Sequence, residues 1–279
     1  LTESVTRLTT EHGVRADRDE LRSFINLAVG LAEQSCFSIL LAGTAAPAEP
    51  VEPLVLQMDL NGVRHAVLTQ ALGQFDNAYQ EDCLRRYPGR FASVVGVDAT
   101  DPAASRKLAE AAQGGAVGVR LRPEARSPGA DPLAVWRVAA DHGLVISCAG
   151  SPAALLDDAF ASLVRSFPNL IFALEHLGGW TRGDCDRSDA VRAGIFALAD
   201  FPNVILKVPA LGQLSPRDMR GKLPASGCVL DKGPAMIVLD MLARFGADRM
   251  MWGSDYPPVS SREGYANALH WTRDIFSQC

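Results

Sequence analysis

Two apolar runs in this chain stop abruptly on groups that do chemistry. Leu170-Ile171-Phe172-Ala173-Leu174 runs into Glu175, His176, Leu177, Gly178 and Gly179; Met250-Met251-Trp252-Gly253 runs into Ser254, Asp255, Tyr256 and two prolines. A buried strand that stops on an acid or a histidine presents that group at its carboxyl end. An imidazole and a carboxylate brought together there can act as a base and its partner, or as two ligands of one divalent metal. Taken singly, His176 also fits a hydrogen-bonded core histidine, and Asp255 a cap on the turn before Pro257. Their pairing at two strand ends favours the functional reading.

Other apolar runs end on Gln70, Asp98, Arg120, Arg122, Ser147, Cys148 and Lys207. Arg120, Arg122 and Lys207 are costly at strand ends unless solvated or paired. A positive mouth suits a carboxylate-bearing substrate, because a guanidinium matches a carboxylate with two parallel hydrogen bonds; ion pairing with Asp98, Glu124 or Asp255 is the competing account. Cys148 is a candidate nucleophile beside His176, against the plainer account of a buried inert thiol. Gln70, Cys148, Trp180 and Tyr256 complete the expected substrate-binding set with the three cations. His12, His65, His142 and His270 fall at helix or loop positions and read as structural or exposed.

The elements that must carry these groups alternate. From residue 51 the pattern predicts helices over 51–61, 77–87, 102–113, 132–142, 153–167, 188–201, 234–245 and 262–276, with strands over 65–71, 91–97, 116–121, 144–148 and 203–208 and in the runs that end on His176 and Asp255. Continuous apolar runs suit parallel strands buried on both faces. Turn chemistry recurs before strands, as in Tyr87-Pro88-Gly89-Arg90, Phe167-Pro168-Asn169 and Phe201-Pro202-Asn203. Residues 1–50 are an atypical N-terminal segment with an amphipathic helix over 17–33; the first of eight strands has to come from Cys36–Ala42. Residues 212–233, rich in Gly, Pro and Ser, read as a long active-site loop. The expected fold is α/β, a distorted (β/α)8 TIM barrel in residues 51–279, and the whole chain of 279 residues is close to the roughly 250 typical of such a barrel.

The net charge of −5 supplies no basic field for nucleic acid or an anionic membrane surface, and no apolar run nears the roughly 20 residues that span a bilayer. Six scattered cysteines without a CxxC pair point to reduced thiols, and together with the absence of signal-peptide order to a cytoplasmic protein.

At this point the chain resembles a known family. Met58–Gln70, Tyr87-Pro88-Gly89-Arg90-Phe91, Gly118-Val119-Arg120-Leu121, Glu175-His176-Leu177-Gly178-Gly179 and Trp252-Gly253-Ser254-Asp255-Tyr256-Pro257 are similar, in this order, to the amidohydrolase superfamily. The similarity is to the branch holding aminocarboxymuconate-semialdehyde decarboxylase and the pyrone-dicarboxylate lactonases. It implies a distorted barrel, hydrolysis or non-oxidative decarboxylation of small carboxylated molecules, His176 and Asp255 in the catalytic or metal centre, and a homodimer. Two departures stand out. No His-x-His, the usual first-strand motif, occurs in the 279 residues, and the strand that usually ends on another histidine ends here on Ser147-Cys148-Ala149. Ile39–Ala46 is similar to the stretch that closes family members, which leaves open a rearranged chain or chance similarity in an Ala/Gly-rich segment.

Two protein ligands are too few for a catalytic zinc, which usually has three plus water. The reading favoured is therefore a metal-independent, lactonase-like hydrolase that needs no cofactor and acts on a small carboxylated substrate. Asp255 activates water, His176 polarises the carbonyl or positions that water, and Arg120, Arg122 and Lys207 hold carboxylates. One alternative is a non-oxidative decarboxylase with zinc or manganese on His176 and Asp255. The other is a repurposed barrel with a binding or non-hydrolytic role in a biosynthetic pathway.

Overall fold

The apolar runs lie side by side, each beside its neighbours in sequence. In the computed structural model, which describes residues 39–41, 50–181, 186–214 and 232–277, eight strands pair in parallel and in chain order. They are β1 (Ile39–Leu41), β2 (Ala66–Gln70), β3 (Phe91–Gly96), β4 (Gly118–Leu121), β5 (Val145–Cys148), β6 (Phe172–Leu174), β7 (Val204–Val208) and β8 (Met250–Trp252). The connections carry helices α1 (Val51–Leu60), α2 (Ala78–Arg86), α3 (Ala104–Gln113), α4 (Ala134–Asp141), α5 (Pro152–Leu155), α6 (Asp158–Ser166), α7 (Asp189–Ala197) and α8 (Lys232–Phe245), and α9 (Tyr265–Phe276) follows β8. This is the distorted α/β barrel that the strand pattern predicts. β1 lies within the ambiguous Cys36–Ala42 run, with Leu41 in register with Gln70. The helix expected over 17–33 lies outside the described residues.

Two layers of apolar side chains fix the scaffold. Inside the sheet, Val67, Val94, Val117, Val145, Ala173, Ile205 and Met251 form one cluster. Outside it, helices pack on the other strand faces: Trp136 of α4 stacks on Phe172 at 6.0 Å, and Phe160 of α6 meets the same ring edge-on. Side chains alternate along a strand. Two residues beyond Val145, Ala173, Ile205 and Met251 on the inner face come Ser147, Glu175, Lys207 and Gly253. The inner layer thus changes from apolar to polar in one step, at the carboxyl ends of the strands.

Three element boundaries differ from the sequence pattern. The helix expected over 153–167 breaks in two, because Asp157 caps a fresh helix by accepting from the Ala159 amide at 2.8 Å. The last helix begins at Tyr265 rather than at residue 262, since Gly264 precedes it with φ 81°. Of the loop expected over 212–233, Lys232 and Gly233 belong to α8, and residues 215–231 lie outside the described residues. Among the described residues no helix is long and apolar enough to cross a membrane, and Cys83 and Cys148 are free, buried thiols.

Candidate active site

Backbone hydrogen bonds carry the sheet ladder past the strand ends and hold the site there. The Glu175 amide donates to the Cys148 carbonyl at 3.0 Å, the Leu177 amide to the Lys207 carbonyl at 2.9 Å, and the Gly253 amide to the Val208 carbonyl at 2.8 Å. Just beyond, the chain turns left-handed: His176, Leu177, Gly178 and Gly179 have φ of 53°, 55°, 68° and 80°, and Asp255 has φ 53°. Non-glycine residues avoid this region at a cost of about 1–2 kcal/mol each, and such strain clusters at functional sites. Gly179 is required by space as well, since a Cβ there would lie 2.6 Å from the Gly150 carbonyl oxygen.

A buried charge cluster sits under the mouth. Glu175 takes Arg120 on both oxygens, at 2.9 Å from Nε and 2.5 Å from Nη2, while Arg120 Nη1 donates to the Gln70 carbonyl at 2.9 Å. Ser147 Oγ donates to Glu175, and Lys207 Nζ donates to Ser147 at 2.5 Å and lies 3.6 Å from Glu175. The side chains of Arg120, Glu175 and Lys207 are only 8 %, 7 % and 10 % exposed. Burial by itself pushes the Glu175 carboxyl up, but the Arg120 and Lys207 charges together outweigh it and hold it well below the usual carboxylate range. Burial pulls the Lys207 ammonium down, with Glu175 opposing and Arg120 adding to the fall. Two cations face one carboxylate, so the cluster carries one surplus positive charge.

A second network spans the mouth. His176 Nδ1 and Gln213 Oε1 are 2.8 Å apart, Thr181 Oγ1 donates to the same oxygen at 3.0 Å, and Gln213 Nε2 donates to Asp255 Oδ2. Arg262 Nη1 also donates to Asp255 Oδ2, at 3.0 Å. Its Nη2 is buried with no hydrogen-bond partner among the described residues. Glu263 ties the arrangement down, taking the Gly212 amide at 2.8 Å and Arg262 Nε at 3.2 Å.

The two networks line adjoining spaces. One cavity of about 240 Å³ is bounded by Leu72, Ala149, Gly150, His176, Thr181 and Gln213 among others. A niche of about 20 Å³ lies between Arg120, Glu175, His176, Lys207 and Asp255, room for one water molecule. Polar walls, donors and a carboxylate around a water-sized niche can hold an anion and activate water against it.

Of the sequence candidates, Arg120, His176, Lys207 and Asp255 meet at this niche. Gln70 contributes its backbone carbonyl; its side-chain amide is engaged by Asp76 and Ala71. Arg122 is exposed and lines neither space. Cys148 is fully buried in the outer core, where desolvation and then the Glu175 charge push its thiol far up, so it is held protonated. Trp180 belongs to that core as well, and Tyr256 packs edge-on to Tyr265. The ion pairing expected of Arg120 with Asp98, Glu124 or Asp255 goes instead to Glu175, for which only strand-end position gave a signal. Gln213, Thr181 and Arg262 carry no motif; Gln213 is marked only by its place in the Gly-rich loop.

The donor set that the described residues offer does not fit a zinc ion. Among the described residues no three His, Cys, Asp or Glu side chains are grouped to hold a metal. Gln213 stands between His176 and Asp255, Arg262 donates to Asp255, and Arg120 and Lys207 line the same niche.

A family model described as amidohydrolase matches residues 41–275. No curated protein matches the chain. Solved structures with this fold include an amidohydrolase from Burkholderia multivorans with bound HEPES, and the same protein with bound zinc. Each is 18 % identical, with a TM-score of 0.68 over 88 % of this chain and 92 % of that one. A probable 2-pyrone-4,6-dicarboxylic acid hydrolase from Acinetobacter baumannii, with citric acid bound, is 17 % identical, with a TM-score of 0.64 over 87 % and 92 %.

Proposed function

The chain belongs to the amidohydrolase family, and from that premise we propose that it hydrolyses a small carboxylate-bearing cyclic ester without a metal ion. The observation that carries this reading is the buried cluster at the niche, where Arg120 and Lys207 share the one carboxylate of Glu175 while Asp255 is held by Arg262. A buried cation without its counter-charge is costly, and an anionic substrate supplies the missing one. Arg120 has five N–H groups, of which described partners take three. The Acinetobacter neighbour is named for 2-pyrone-4,6-dicarboxylic acid, a carboxylated ring of this class.

In the reaction proposed, a water in the niche attacks the ester carbonyl carbon while Asp255 accepts its proton. The carbonyl electrons move onto oxygen, where Lys207 and Arg120 stabilise the developing charge. Collapse breaks the ring C–O bond, and the leaving oxygen takes the proton back from Asp255. His176 holds the attacking water, and Arg122 on the exposed rim attracts the anion from outside.

The test is a panel of carboxylated lactones, followed by acid release, with and without chelator. Asp255→Asn is expected to lower kcat by about 10³-fold or more. Near-normal turnover by that variant sinks the assignment of the base. Chelator-sensitive activity restored by zinc, or CO2 release in place of ring opening, sinks the metal-free hydrolase.

A further inference from the structure

The amide of Gln213 touches both candidate catalytic groups, and only one orientation of it satisfies them. Gln213 Nε2 faces Asp255 Oδ2, which also takes Arg262 Nη1 at 3.0 Å. A carboxylate in that position only accepts. Turning the amide over would set its carbonyl oxygen against the carboxylate, two acceptors with no hydrogen between them, in a half-buried place. Thr181 adds a second constraint, because its hydroxyl lies 3.0 Å from Oε1 and can donate to it. With Oε1 so placed, the His176 nitrogen 2.8 Å away has to carry a hydrogen to complete the bond. That nitrogen is Nδ1.

We infer that Gln213 is the positioning residue that fixes neutral His176 as its Nδ1–H tautomer, so that Nε2 presents a lone pair to the site. His176 lines both the niche and the larger cavity, and Nε2 bonds no side chain among the described residues. Neutral His176 therefore accepts a hydrogen bond from the attacking water and does not donate one to the substrate carbonyl. Of the two roles that a histidine at this strand end can take, polarising the carbonyl or holding the water, the amide selects the second. The catalytic consequence rests on the hydrolase reading above; the tautomer does not.

The amide is itself aimed by structure. Gln213 closes a single 3-10 turn, Leu211–Gln213, just beyond β7, with its own amide bonded to the Ala210 carbonyl at 3.0 Å. Glu263 anchors that turn through the Gly212 amide. A Cβ at Gly212 would fall 2.2 Å from Glu263 Oε2, so the anchor and the glycine belong together.

Nitrogen-15 NMR of the free enzyme at alkaline pH tests this, with the His176 resonances assigned by their loss in His176→Gln. The expected spectrum has a protonated Nδ1 and an unprotonated, pyridine-like Nε2. In Gln213→Leu, where the amide is gone, the two tautomers should mix, and kcat on an accepted substrate should fall about 10²-fold with KM little changed. A wild-type His176 carrying its hydrogen on Nε2 overturns the inference without any variant and without any substrate. An unchanged tautomer in Gln213→Leu also overturns it. The expected spectrum together with an empty lactone panel leaves the tautomer standing and removes the hydrolase reading instead.

Discussion

Replacing Glu175 by Gln should cost far more stability than removing Lys207, although the two side chains share one network. Glu175→Gln keeps the shape but leaves Arg120 and Lys207 buried, at 8 % and 10 % exposure, with no anion between them. Breaking a buried pair from one side costs about 3–5 kcal/mol, and at about 2–4 °C per kcal/mol for large domains the melting temperature should fall by about 6–20 °C. Lys207 can shed its proton more easily in that variant, since the Glu175 charge now holds it up, which sets the lower part of the range. Lys207→Met instead removes the surplus cation and leaves the two-pronged Arg120–Glu175 pair whole. It loses the bond to Ser147 but relieves an uncompensated charge, so its net cost should be about 0–2 kcal/mol. The pH dependence has a definite sign. The unfolded Glu175 carboxyl titrates near about 4.3 and the folded one well below that. The stabilisation is therefore complete above about pH 5 and is lost as pH falls through the folded value. Thermal melts of the two variants from pH 3 to 8 should show a wide gap between wild type and Glu175→Gln at neutral pH, closing in acid. A Lys207→Met protein as unstable as Glu175→Gln would refute the surplus-charge argument.

The same surplus predicts that small polycarboxylates raise the wild-type melting temperature, by an amount equal to about 2.7 kcal/mol at 100-fold excess over Kd, and that the effect disappears in Lys207→Met; melts across a citrate series check it. Cys148, buried and held protonated, should resist iodoacetamide in the native protein and react only on unfolding, as read by intact mass. Gly212→Ala should push the turn off Glu263 and lower kcat about 10-fold or more through misplacement of Gln213; steady-state kinetics beside an unchanged circular dichroism spectrum measure it.

The barrel is legible in the sequence because parallel strands buried on both faces write themselves as unbroken apolar runs, and Met250–Trp252 and Phe172–Leu174 stand out at once. Local hydrogen bonds decided what the pattern missed. Asp157 breaks one helix by capping another, a competition between side chain and backbone that apolar periodicity does not register. In the site, Arg120, His176, Lys207 and Asp255 are visible as polar ends of apolar runs, and strand order brings them together. The role of Glu175 is not visible, because its partner Arg120 lies 55 residues away and their meeting depends on the stagger of β4 to β6. Gln213 is hidden for another reason: an amide in a loop acquires meaning only from the two groups it happens to reach.

Positive charge at the mouth decides how the site should treat a metal. A divalent ion needs lone pairs aimed at it and tolerates no neighbouring cation without compensation. Here Gln213 and Arg262 already donate to Asp255 Oδ2, and Gln213 takes His176 Nδ1. What remains is one oxygen and one nitrogen, Asp255 Oδ1 and His176 Nε2, facing Lys207, Arg120 and Arg262. Two ligands, with Glu175 and Glu263 already engaged by the three cations, predict weak binding, with elemental analysis of protein purified without chelator giving well under one zinc or manganese per chain. Moving the charge balance should change that result in a definite direction. Lys207→Met takes one cation out of the niche that His176 and Asp255 line, so cobalt should bind more tightly to it than to wild type, with its visible spectrum as the readout. A wild-type protein that retains one metal per chain through purification would mean that residues beyond these complete a metal centre, and the charge argument would fail with the metal-free mechanism it supports.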